Sequence, residues 1–222
     1  MKKLYYHILN LLLKPLLKAE KPLNRVNERS VEYSFALEMI QKYCTGKILD
    51  VGTGKGSFPH LLYSCGYDVT AIDKKDTKFF GDVFCNRHFK VIDADITKGF
   101  TGKYQFITCI SVLEHITEYQ QAVANMVKLL DEGGYLLLTV PFTYNKYNKD
   151  VYEGKEKFIT QVFNYEFLHY VIPLILDTID ARQFKVFTGN TWNDGERINP
   201  VEVLDTKDCQ LMCLLLKHVK HV

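Results

Sequence analysis

ILDVGTGKGS, residues 48–57, is the stretch on which the rest of the chain is read. A short run rich in apolar residues leads into a loop with glycine at positions 52, 54 and 56, the pattern of a buried strand turning through a glycine-rich loop into a helix. Such a loop holds a phosphate, a dinucleotide or a sulfonium nucleoside. A phosphate loop of the form G-x-x-x-x-G-K-[ST] would need glycine at Leu49 and a hydroxyl at Gly56, and has neither. The dinucleotide fingerprint G-x-G-x-x-G puts its third glycine at Ser57, a residue small enough to leave that reading open. Asp50 separates the candidates. A carboxylate at the end of the strand repels a pyrophosphate and attracts a ligand carrying an amino group and a sulfonium.

Outward from the loop, helical and strand patterns alternate. Val31, Phe35, Met39, Ile40 and Tyr43 recur at helical spacing, so residues 30–43 form an amphipathic helix with Ser30 as its N-cap. Phe58, Leu61, Leu62 and Cys65 mark a second helix that stops at Gly66. DVTAID (68–73), FKVIDAD (89–95), YQFITCIS (104–111) and GYLLLTVP (134–141) read as the next four strands. Between the last two, Ile116, Tyr119, Val123, Met126, Val127 and Leu130 share one helical face. Near-continuous apolar strands separated by helices imply a parallel sheet covered on both faces.

The last third changes character. Residues 142–160 are polar and aromatic without a period, the composition of an active-site loop or lid. Asn164 is placed to cap a helix over YEFLHYVI, which Pro173 kinks or ends. FKVFTG (184–189) and DCQLMCLLLKH (208–218) read as a closing antiparallel pair, joined by a loop with Trp192 and the turn Asn193-Asp194-Gly195. The expected fold is therefore α/β: a doubly wound, mostly parallel seven-stranded sheet with one antiparallel strand near its edge.

Composition limits the function. The 222 residues, 47% hydrophobic and 24% charged, suffice for one domain with a substantial core. A net charge of +2 gives no support to nucleic acid as a partner. Six scattered cysteines without a C-x-x-C pair read as free thiols in a reducing compartment. Cys209 and Cys213, four apart in a strand, share a face at a separation too long for a bridge. No cysteine and histidine cluster has metal-ligand spacing. The first residues, MKKLYYHILNLLLKPLLKAEK, are broken by Lys14 and Pro15, shorter than the roughly 20 apolar residues of a membrane span, and lack a small-residue cleavage site. They read as an amphipathic helix that packs on its own domain or a second subunit, or else lies on a membrane surface. The division expected is 1–27 for this helix and linker and 28–222 for the domain. The location expected is cytoplasmic, with the inner membrane face as the alternative.

Taken together, these segments resemble the class I S-adenosylmethionine-dependent methyltransferases over roughly residues 28–141. ILDVGTGKGS looks like their first motif, AIDKKD their second and VIDADITKG their third. YQFITCISVLEHI and LLDEGGYLLLTVP resemble the fourth motif and the fifth strand. Gln105 departs from the family, many of whose members have an acid there. The resemblance implies S-adenosyl-L-methionine as cofactor. It also implies a site of Asp50, Gly52, Thr53 and Gly54 in the loop, Asp73 and Lys74 at the ribose, Asp95 and Ile96 at the adenine, and Ser111 and Leu113 at the methionine portion. The residues carry physical reasons of their own: Gly52 and Gly54 let backbone approach a ligand, Gly56 lets helix pack on strand, and Asp73 can accept two hydrogen bonds from a diol.

Methyl transfer is an in-line displacement, so alignment supplies much of the acceleration, and an oxygen acceptor also calls for a base. His115, beside Glu114, is the candidate, with closure of the cofactor pocket as its other role. Tyr144, Tyr147 and Trp192 are candidates to line the acceptor pocket. The acceptor expected is a small-molecule or saccharide hydroxyl, or a lipid-linked glycan if the first helix touches membrane. Two other readings stay open: a nicotinamide-dependent oxidoreductase, and a membrane-docked interaction module with a non-catalytic pocket.

Overall fold

The structure is a computed structural model and describes residues 26–74, 86, 88–144, 148–149, 161–171, 176–204 and 206–219. The first helix expected from the sequence, most of the 142–160 loop, Tyr147, Pro173 and Cys85 lie outside them.

Five parallel strands form the frame: β1 Ile48–Val51, β2 Val69–Asp73, β3 Val91–Asp93, β4 Tyr104–Ile110 and β5 Leu130–Pro141. A two-residue pair, β6 Asn148–Lys149 and β7 Gln161–Val162, stands apart from the main sheet. Then come β8 Leu176–Phe187, β9 Arg197–Glu202 and β10 Leu211–His218. The main sheet has the order β3-β2-β1-β4-β5-β10-β8-β9. Strand β10 runs antiparallel to both neighbours, and β9 is antiparallel to β8.

This is the doubly wound mixed sheet that the alternating pattern predicts, with one strand more than expected. Seven strands correspond to those read from the sequence; β9 is the eighth. Its residues, RINPVE, are half-buried or exposed at the sheet edge and include Pro200, so neither an apolar run nor an alternation marks it. Strand β8 also begins earlier than its apolar stretch, because Asp177, Thr178, Ile179 and Ala181 pair with β10 or extend along it while remaining exposed.

Among the described residues four helices cover the sheet: α1 Arg29–Tyr43, α2 Phe58–Ser64, α3 Tyr119–Leu129 and α4 Tyr165–Val171. Strand periodicity sorts them onto two faces. Ile48, Phe106, Leu137, Leu211 and Leu215 pack with Phe35, Met39 and Ile40 of α1 and Phe58 and Leu62 of α2. Their neighbours Leu49, Ile107, Leu136, Leu138, Met212 and Leu214 pack with Val123 and Met126 of α3 and Phe167 of α4. Successive side chains of a strand point to opposite faces, so a strand covered on both sides must be apolar throughout.

Local details depart from expectation at the helix starts. Helix α1 begins at Arg29, whose N–H donates to Asn27 Oδ1 at 3.1 Å, while the Ser30 hydroxyl donates back to the Asn27 carbonyl at 2.8 Å. Asn27 thus fills the capping role assigned to Ser30. Asn164 does accept from the Glu166 N–H at 3.0 Å. Gln105 has a structural reason for not being an acid: its Nε2 donates to the Tyr43 carbonyl at 3.0 Å and its Oε1 accepts from the Thr45 N–H at 3.2 Å. A carboxylate would lose the first bond. The five described cysteines are free thiols, with Cys65 exposed and Cys109, Cys209 and Cys213 buried. Among the described residues no helix is long and apolar enough to cross a membrane.

Candidate active site

The carboxyl ends of the parallel strands meet at one rim, where the chain leaves β1 toward β2 on one side and returns to β4 on the other. An open α/β sheet binds its ligand at such a reversal. A cavity of about 630 Å³ opens there, within the range of small-molecule sites. Asp50, Gly52, Thr53, Gly54, Asp73, Lys74, Asp95, Ile96, Ser111 and His115 all line it.

Leu113 does not. It is 0% exposed and belongs to the core beside α3, and Val112 lines the cavity in its place. The backbone after β4 winds into a short 3₁₀ turn, Leu113–His115, so residue orientation there follows the turn rather than the two-residue period of the strand.

The glycine loop is shaped by two positive φ angles. Gly52, at φ +76°, lies so close to Val112 that a Cβ would stand 2.4 Å from both γ-methyls. Gly54, at φ +59°, faces open space, its nearest foreign atom Asp73 Oδ2 at 4.0 Å from where a Cβ would be. Gly56 abuts α1, with the Tyr33 hydroxyl 3.3 Å from a would-be Cβ. The loop is therefore a bare backbone cradle.

Three carboxylates surround it in different states. Asp50, 4% exposed, accepts from the hydroxyls of Thr53 at 2.6 Å and Thr108 at 2.7 Å. Burial pushes its pKa up to about 6 against the pull of those bonds, and the nearby Asp73 adds to the rise. Asp73 is half-buried, its Oδ2 accepting from the Gly54 N–H at 2.5 Å. Burial raises its pKa too, opposed by the N–H groups of Gly54 and Lys74. Asp95 caps the 3₁₀ turn Ile96–Lys98 by accepting from the N–H and hydroxyl of Thr97 at 3.0 and 2.6 Å, and its Oδ2 pairs with Lys74 at 3.1 Å. Its burial works against ionisation, but Thr97 and Lys74 prevail and hold the pKa below the ordinary value. The same turn is tied to α3 by Asn125, whose Nδ2 donates to the carbonyls of Ile96 and Thr97 at 2.8 and 3.0 Å.

Several lining residues carry no signal in a local reading. Arg29 and Tyr33, four apart on α1, face the cavity while Phe35 and Met39 face the core. Arg29 donates to Glu32 Oε2 at 3.0 Å and to the Ile110 carbonyl at 3.1 Å. Glu32 is fully buried and accepts from the Thr139 hydroxyl at 2.7 Å and from the Ser111 hydroxyl. Ser111 sits at φ +49°, an uncommon conformation for a residue with a side chain, with its N–H donating to Thr139.

Two of the three aromatic residues expected at an acceptor pocket, Trp192 and Tyr144, do not line this cavity. Trp192 is buried in the α1–α2 core, edge-on to Phe187 at 5.3 Å. Tyr144 packs on Phe142 at 5.0 Å, and its hydroxyl accepts from Gln183 Nε2 at 3.1 Å. Both serve packing because the β8–β10 half of the sheet needs large side chains to close its faces.

Glu114, 3% exposed, is a buried acid with one oxygen, Oε2, unpartnered among the described residues, and its Oε1 is 3.9 Å from His115 Nε2. Burial pushes its pKa up to about 8; the bond to its own N–H opposes the rise and Glu32 adds to it. Below the ordinary carboxyl pKa the folded and unfolded chains both hold this proton and the group costs nothing. As pH rises toward 8 only the unfolded chain releases it, so stability falls by about 1.4 kcal/mol per pH unit, and levels off above 8. Glu114→Gln is thus expected to match the parent near pH 4.5 and exceed it by about 3 kcal/mol at pH 7, read from urea melts at the two pH values. A gap that does not widen with pH would contradict the buried, protonated acid.

A glycine cradle at the reversal of a doubly wound sheet, with acids at or just beyond the carboxyl ends of three strands around a nucleoside-sized cavity, defines the class I methyltransferase architecture. The family model described as a methyltransferase domain matches residues 5–187, and the chain belongs to that family. It is 28% identical over 130 residues to the ubiquinone biosynthesis O-methyltransferase of Coxiella burnetii, covering 54% of this chain and 52% of the relative. The chain thus spans about half the length of the curated relatives it matches. Among solved structures it is similar to the N-methyltransferase NodS of Bradyrhizobium japonicum, which was crystallised with S-adenosyl-L-homocysteine (TM-score 0.57, 16% identity, 89% and 90% of the two chains). The 1,6-didemethyltoxoflavin-N1-methyltransferase of Burkholderia thailandensis is a further structural relative (TM-score 0.59, 13% identity, 85% and 77%). The cofactor of this class is S-adenosylmethionine.

Proposed function

We propose that the chain transfers the methyl group of S-adenosylmethionine to a hydroxyl oxygen of a small molecule. The observation that carries this reading is that Asp50 and Asp73, from adjacent strands, border one cavity on either side of a loop without side chains at Gly52 and Gly54. The residues fit the cofactor. Gly54 leaves open the space in front of Asp73, and the volume suits a nucleoside with its amino-acid tail. When bound, the cofactor supplies a methyl group on a sulfonium, with a neutral thioether as leaving group.

The chain's own residues bind and orient. Asp73 accepts hydrogen bonds from the ribose diol while still holding the Gly54 N–H. Asp95 and Ile96 meet the adenine, with Asp95 oriented by Thr97 and Lys74. Asp50, whose oxygens are already bound by threonine hydroxyls, contributes chiefly its negative charge toward the cationic end. Arg29, a cation that lines the cavity from α1, faces the methionine carboxylate. His115, exposed at the rim, takes the proton of the acceptor hydroxyl. An oxygen acceptor accords with the O-methyltransferase name of the relatives. A saccharide hydroxyl is the alternative acceptor, for which Trp192 and Tyr144, packed in the protein, supply no stacking face.

Titration calorimetry with S-adenosylhomocysteine tests the cofactor reading: micromolar binding is expected, with none for NADH, and the opposite pattern would overturn it. Turnover with methyl-labelled cofactor over phenols, catechols and sugars then tests the acceptor class. For an active phenol, His115→Ala is expected to lower kcat by about 100-fold without changing the affinity for S-adenosylhomocysteine. An unchanged kcat would remove the base.

A further inference from the structure

We infer that Asn86 is a positioning residue that clamps the glycine loop in the shape the ligand needs. Its Nδ2 donates to the carbonyls of Gly56 at 2.7 Å and Gly54 at 3.2 Å. Its Oδ1 accepts from the N–H groups of His88 and Phe89, both at 2.9 Å. One carboxamide thus bridges the loop after β1 and the approach to β3. The amide has a single workable orientation, because turning it over would set Nδ2 against two N–H donors and Oδ1 against two carbonyls.

The clamp acts where the loop most needs it. Gly54 is held on both sides of its Cα: its N–H by Asp73 Oδ2, its carbonyl by Asn86. With φ at +59° and no side chain to pack, it has few other restraints, and a glycine left unheld populates many backbone states. The bond to the Gly56 carbonyl fixes the far side of the same turn, just before α2. Asn86 thereby ties the loop after β1 to the segment that leads into β3. It does not line the cavity, so its effect on a ligand runs through the backbone of the cradle.

This inference rests on the cavity being the cofactor site, and its test separates the two. Hydrogen exchange at the amides of residues 54–56 in the ligand-free protein reads the clamp alone, and calorimetry with S-adenosylhomocysteine reads its consequence. Two variants are compared with the parent. Asn86→Ala removes all four bonds. Asn86→Asp keeps the acceptor for His88 and Phe89 but turns an oxygen toward the carbonyls of Gly54 and Gly56, so it spares the turn before β3 and breaks the clamp.

Both variants are expected to speed loop exchange about tenfold and to weaken S-adenosylhomocysteine about tenfold, with Asn86→Asp melting close to the parent. Unchanged loop exchange in Asn86→Asp would overturn the clamp. Unchanged affinity despite faster exchange, or a fall in melting temperature as large as that of Asn86→Ala, would overturn the positioning role. Failure of the parent itself to bind, with faster exchange in Asn86→Asp, would overturn the cofactor reading and leave the clamp standing.

Discussion

Asp73→Ala is expected to weaken S-adenosylhomocysteine by about 1,000-fold, corresponding to roughly 4 kcal/mol. The carboxylate does two things at once. It accepts from the Gly54 N–H, fixing the loop, and it presents its remaining lone pairs to the cavity, where the ribose diol is proposed to bind. Truncation removes the charged acceptor for the diol and frees the Gly54 amide, so binding loses both a contact and the shape of the cradle. Asp73→Asn separates them: its carbonyl can still hold Gly54, but no negative charge remains for the diol, and an intermediate loss is expected. The fold should suffer little, because burial already raises the Asp73 pKa and its removal relieves that cost. Calorimetry checks the affinity, and a loss of less than tenfold would mean that the end of β2 does not hold the ribose.

Glu32→Ala is expected to be the most destabilising single truncation at the site, at about 3 kcal/mol, or about 10 °C in melting temperature. Glu32 comes from α1 and is fully buried at the carboxyl ends of β4 and β5, where it accepts from Ser111, Thr139 and Arg29. Without it two hydroxyls lose an acceptor, the Arg29 guanidinium keeps only the Ile110 carbonyl, and Ser111 loses a bond that holds its positive φ. Arg29 and Tyr33 ride on the same helix, so affinity for S-adenosylhomocysteine should fall with stability. Glu32→Gln keeps the shape and one acceptor oxygen and should lie between. Urea melts decide it: a change within 1 kcal/mol would show that α1 is held by Phe35, Met39 and Ile40 alone.

Most of the frame could be read locally. Strands β1, β4 and β5 sit at the sheet centre and are apolar on both faces, so each announces itself as a run. The glycine loop and the acids Asp50, Asp73 and Asp95 stand at strand ends, where the chain turns and a polar residue needs no other reason to be there. The readings that failed lie where local pattern and environment part. Leu113 is expected at the methionine portion from the resemblance, but the chain coils after β4 and Val112 lines the cavity instead. Trp192 resembled a loop aromatic because its neighbours are polar, yet it closes the α1–α2 core. Strand β9 was missed because an edge strand need bury only part of its surface.

The amino-acid sequence alone determined the fold class, the glycine loop and the acids that line the cavity beside it, because strand burial, helical spacing and glycine conformation are properties of neighbouring residues. Only the tertiary structure decided which other groups complete the site. Glu32 meets Ser111 and Thr139 across 79 and 107 residues, and Asn86 reaches Gly56 across 30. Such partners are selected by hydrogen-bond satisfaction in a closed core, where a buried polar group must find whatever the fold brings beside it.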